Sequence, residues 1–61
     1  MKRNEFIKVL AENGVVFLRS GSGHDIYRQI STGKKTAIPR HSEIDNILVK
    51  RILKEFHLQK S

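Results

Sequence analysis

Histidine is the side chain whose charge changes nearest neutral pH, and this 61-residue chain has three. His24 directly follows a Gly-Ser-Gly turn, Gly21 to Gly23, and opens the strand-like stretch HDIYRQI. An imidazole there reads either as a polar turn residue or as a proton carrier on a basic surface. The glycines beside it would let a ligand come close to the backbone. His41, in IPRHSE, falls in a loop next to Arg40. It reads as a loop residue or as a phosphate contact. His57 falls at the end of the last helical stretch, where a cation suits the helix dipole. Other site chemistries are not spelled out. There is no Ser-His-Asp spacing, no Gly-rich phosphate motif and no cysteine, and the six carboxylates are too scattered for a two-metal centre.

Charge narrows the partners. Twelve Lys and Arg face six Asp and Glu, a net charge of +6. That balance favours nucleic acid first, an acidic protein second and a membrane surface third. The basic residues are spread along the chain rather than gathered in a tail. The length allows one domain, residues 1–61, and 38% hydrophobic residues suffice for a thin two-layer structure. Without cysteine there is no disulfide framework, which fits a reducing cytoplasm. No apolar run is long enough for a membrane span or a signal-peptide core.

The elements that must position His24 follow from pattern. NEFIKVLAENG reads as an amphipathic helix with Phe6, Ile7, Val9 and Leu10 on one stripe, Asn4 as its cap and Gly14 as its stop. VVFLRS, HDIYRQI and TAIP read as strands separated by the GSG and STGKK turns, with Pro39 ending the third. NILVKRILKEF reads as a second helix, capped by Asp45 and stapled by Ile44 and Val49. The order is α-β-β-β-α, an α+β class. Its simplest packing lays both helices on one face of a three-stranded antiparallel sheet.

A three-residue turn at Gly21 to Gly23 would pair Ser20 with His24. Val16, Leu18, Ser20, His24, Ile26 and Ile30 would then share the helix-covered face, with His24 half shielded at its rim. Val15, Phe17, Arg19, Asp25, Tyr27 and Gln29 would share the other. On that reading Asp25 pairs with Arg19, and exposed Phe17 and Tyr27 offer a partner surface.

GSGHDIYR, then TAIPRHSEI and KRILKEF, behind the opening FIKVLAENGVVFLR, resembles the HicA toxin family. These are small ribonuclease partners of HicB antitoxins in bacterial toxin–antitoxin pairs. The family pattern is Gly or Ser before a His, then an apolar residue and an aromatic, and later Pro-x-His. The likeness runs over nearly the whole chain. It implies a double-stranded-RNA-binding-domain-like fold, cleavage of messenger RNA, a HicB-type antitoxin as partner and His24 as the catalytic residue. Members often carry Ser where this chain has Gly23 and a second His where it has Asp25, so a two-histidine mechanism does not carry over.

The implied chemistry needs no metal or cofactor, because RNA brings its own nucleophile, the 2′-OH. A neutral imidazole can take that proton, or its protonated form can protonate the leaving 5′-oxygen, with water, the same His or His41 as the second proton-transfer partner. Arg28, Lys34, Lys35, Arg40 and His41 are candidates to hold phosphate, beside the turn Gly21, Ser22 and Gly23. Phe17 and Tyr27 are candidates for the antitoxin interface. DNA, which lacks the 2′-OH, is not an expected partner of this chain alone, and neither is a membrane. Two other readings share the composition: an RNA-binding module without chemistry, and a protein-interaction domain using the Phe17 and Tyr27 face.

Overall fold

Phe6 and Leu10 stand one helical turn apart, and both are fully buried. They belong to α1, Arg3–Glu12, in the computed structural model, which describes residues 1–58. The helix starts one residue before the expected cap. Its N-cap is Lys2, without a side-chain cap, rather than Asn4. The reason is tertiary. Lys2 bridges to Glu43, the Ile44 N–H donates to the Met1 carbonyl at 2.8 Å, and the Arg3 N–H donates to the Ser42 carbonyl at 2.9 Å. This strand-like pairing satisfies one of the free N–H groups of the first helical turn and fixes where the helix begins. At the other end Gly14 takes φ +76°, the left-handed turn that stops the helix.

Three strands follow, β1 (Val15–Ser20), β2 (His24–Gln29) and β3 (Lys35–Pro39), in an antiparallel sheet of order β1-β2-β3. The last element is α2, Asn46–Glu55, where the Asp45 carboxylate accepts the Ile47 N–H at 2.9 Å. The expected cap and staple both hold, with Ile44 and Val49 buried. The observed order is the α-β-β-β-α order read from the sequence.

The register differs from the three-residue turn. Ser20 lies opposite Asp25, and only Ser22 and Gly23 lie beyond the Gly21 N–H to His24 carbonyl bond of 2.7 Å. The pairing also shifts between Phe17 and Arg19, so Leu18 and Arg19 together face Ile26. A one-residue change in register moves side chains to the opposite face. The helix side of the sheet carries Val15, Asp25, Tyr27, Gln29 and Ile38. The open side carries Val16, His24, Ile26 and Arg28.

This overturns the expected faces, and Arg28 explains why. It sits on central β2 between Ile26 and Ile30, so covering that face would bury an unpaired guanidinium. Turning it outward buries Tyr27, whose ring stacks edge-on against Phe17 with centroids 5.8 Å apart. Tyr27 is therefore core, whereas Phe17 remains 53% exposed.

The core joins Phe6, Leu10, Val15, Tyr27 and Ile38 to Ile44, Val49, Ile52, Leu53 and Phe56. Burial of each large apolar side chain contributes about 1.5–3 kcal/mol. Gln29 is the buried polar member. Its Nε2 donates to the Phe56 carbonyl at 3.2 Å and its Oε1 accepts the Thr32 hydroxyl at 2.6 Å. It closes the free C-terminal end of α2. Among the described residues no helix is long and apolar enough to cross a membrane.

Candidate functional site

His24 begins β2 at the turn end of the open sheet face. It is exposed, not half shielded under a helix as the sequence suggested, because the register places it on the face that no helix covers. Its backbone is held closely. The His24 carbonyl accepts the Gly21 N–H at 2.7 Å and the Arg40 Nη2 at 3.3 Å. Its ring Nδ1 lies 3.3 Å from the Ser22 carbonyl oxygen. A carbonyl can only accept, so this contact favours a proton on Nδ1 and leaves Nε2 as the basic nitrogen.

The glycines around it have different duties. A Cβ on Gly21 would stand 3.1 Å from the His24 carbonyl oxygen, so a side chain there would push the hairpin backbone back by a few tenths of an ångström. Gly23 has φ +73°, a conformation that side-chain-bearing residues adopt at a cost.

The sheet register lays out the face beside His24. His24 pairs with Pro39, Arg19 and Ala37 flank Ile26, and Val16 and Lys35 flank Arg28. No acidic residue stands in these rows. Arg28 and Lys35 are thus neighbours on the open face, as candidates for phosphate. Arg19 joins them, although alternation along an unbroken strand had placed it on the other side. The bulge at Leu18 moves it, and nothing in the local sequence announces that bulge. Lys34 is elsewhere, its Nζ donating to the Glu55 carbonyl at 3.4 Å near the end of α2. His41 is exposed in the loop after β3. His57 ends α2 with φ +56° and lines a shallow cleft with Lys50, Leu53, Lys54 and Leu58.

Asp25 does not pair with Arg19. It faces the helix side, where Oδ2 accepts Arg3 Nη2 at 2.9 Å and Oδ1 accepts Arg40 Nε at 3.0 Å. Arg3 also donates from Nε to the Pro39 carbonyl at 2.8 Å, and Arg40 donates from Nη2 to the Gly21 carbonyl at 2.6 Å. Sequence reasoning missed Arg3 altogether, because its partners lie 22 and 36 residues away. Among the described residues no three His, Asp or Glu side chains gather as metal ligands.

A small sheet with one helix-covered face, one open cationic face and an exposed imidazole at its rim can bind an extended polyanion and move a proton on it. A family described as HicA toxin of bacterial toxin-antitoxin matches residues 3–58. No curated protein and no solved structure matches the chain.

Proposed function

The chain belongs to the HicA toxin family of bacterial toxin–antitoxin systems, and from that premise we propose that it is a metal-independent endoribonuclease that cuts messenger RNA through His24. The supporting observation is an exposed imidazole at the end of an acid-free face carrying Arg19, Arg28 and Lys35.

His24 Nε2 takes the proton of the 2′-OH, and the 2′-oxygen attacks the adjacent phosphorus. The P–O5′ bond breaks, and the leaving oxygen receives a proton from the imidazolium or from water. The products are a 2′,3′-cyclic phosphate and a 5′-hydroxyl. General acid–base help of this kind is worth about 10²–10⁴-fold. Arg28 lies four residues along β2 from His24, about 13 Å in an extended strand. Arg28 and Lys35 therefore hold flanking phosphates, while Arg19, opposite Ile26, lies nearer the reacting one.

A HicB-type antitoxin neutralises the toxin by covering this face. Val16 and Leu18 stand exposed among the cations, and Phe17 stands exposed on the neighbouring side of the same strand. Phe17 serves as an antitoxin contact. Tyr27 supports it from the core and does not itself reach the partner. Messenger RNA as substrate and this antitoxin as partner place the action in the cytoplasm.

The test is cleavage of a mixed-sequence single-stranded RNA in EDTA by wild type and His24→Ala. Wild-type cleavage that ends in 2′,3′-cyclic phosphate and vanishes in a folded His24→Ala protein supports the reading. Equal cleavage by both removes His24 from the chemistry. Salt-dependent RNA binding without cleavage by either leaves a binding module.

A further inference from the structure

Arg40 looked like a phosphate contact because it is basic and precedes His41. Its side chain instead points back into the fold. Nε and Nη2 reach three oxygens, those of the Asp25 carboxylate, the Gly21 carbonyl and the His24 carbonyl. The two carbonyls are the base of the hairpin whose tip is Ser22 and Gly23. Asp25 aims the fork, and Arg3 holds the far oxygen of Asp25 while gripping the Pro39 carbonyl. Asp25 and Arg3 are largely shielded, with side chains 16% and 19% exposed. The first turn of α1, the start of β2, the end of β3 and the hairpin base therefore meet on one carboxylate.

We propose that Arg40, aimed by Asp25, is a positioning residue for His24 rather than a contact to RNA. The proposal rests on His24 as the proton carrier. An imidazole at the base of a two-residue hairpin is only as well placed as the hairpin. The Gly21 to His24 bond closes that hairpin, and the guanidinium ties both of its carbonyls to the β3 loop. A lysine ammonium is a point charge and cannot replace a planar fork that reaches a carboxylate and two carbonyls at once. A displacement of about 1 Å at the reacting group is worth on the order of 10²-fold in rate.

Arg40→Lys and Arg40→Ala separate the two roles. For positioning, kcat on a single-stranded RNA falls at least about tenfold in both variants while KM stays within about twofold. RNA affinity in the His24→Ala background keeps its salt slope, whereas loss of a phosphate contact lowers that slope by about one. The Gly21 amide loses hydrogen-exchange protection, and the His24 ring resonances move. Arg40→Lys that cuts like wild type, or Arg40→Ala that lowers the salt slope, overturns the proposal. If wild type cuts no RNA, the nuclease reading fails separately. The Gly21 amide and the His24 ring then still decide, and no change in either variant sinks the positioning role. Should Arg40→Ala not fold, Asp25→Asn replaces it, with the same changes expected.

Discussion

Strand β2 leaves the sheet through a glycine turn at each end, and the two turns are fastened by different chemistry. At the far end the neutral amide of Gln29 holds the turn through Thr32 and α2 through the Phe56 carbonyl. At the near end one carboxylate, Asp25, holds two guanidinium groups, and one of these holds the turn backbone. The amide is buried and makes short-range, salt-insensitive bonds. The charged network lies closer to water and reaches four segments. A neutral amide is an economical way to close a core, because it carries little desolvation cost once both of its ends are bonded. A charged fork is suited to fixing direction, and it stands at the end where the proposed chemistry needs a fixed imidazole.

The comparison can be broken at its catalytic end first. His24→Ala should lower RNA cleavage by about 10²–10⁴-fold. Because the ring is exposed, the thermal midpoint should stay close to that of wild type. Gln29→Ala should do the opposite. It strands the Phe56 carbonyl and costs about 1–3 kcal/mol of stability. Each kcal/mol is roughly 4–8 °C in a domain near this size. Cleavage per folded molecule should be unchanged, which calorimetry and an activity titration would establish together.

Two smaller effects sharpen the contrast. Gly23 and Gly33 have nearly equal backbone angles, φ +73° and +77°, with open space where a Cβ would go. Alanine at either should cost a similar amount, about 1–2 kcal/mol, yet only Gly23→Ala should also lower cleavage. Salt gives the smallest change. At 1 M the Debye length shortens to about 3 Å. Exchange of the Gly21 amide, beside the charged network, should quicken severalfold. That of the Gly33 amide, donated to the Gln29 carbonyl at 2.8 Å, should hold steady. Equal salt responses would mean that the two fastenings do not differ as described.

Much of the scaffold is legible in the sequence, and the reason is periodicity. Phe6 with Leu10, and Val49 with Ile52, Leu53 and Phe56, mark buried helix stripes that nothing else in the chain mimics. Gly14 and Asp45 mark a stop and a start by local backbone chemistry. The choice of sheet face was a narrower matter. Val16, Leu18 and Ile26 rival Val15, Phe17 and Tyr27 in apolar character, so hydrophobicity alone does not rank them. The charge on Arg28, at the centre of β2, does rank them and was available without a structure. The bulge that brings Arg19 to the open face, and the meeting of Arg3 with Asp25 and Pro39, depend on segments far apart in the chain. No local pattern encodes those.

The strap between Arg3 and Pro39 also has a meaning in time. During synthesis, His24 and its glycine turn are made well before Arg40, and Arg3 waits across 36 residues for the carbonyl that holds it. Closing so long a loop contributes only once the intervening sheet is in place. A nascent chain therefore carries the imidazole long before it carries a fixed one. The toxin's proposed activity is born only once the segment that carries Pro39 and Arg40 has been made and has folded back onto α1.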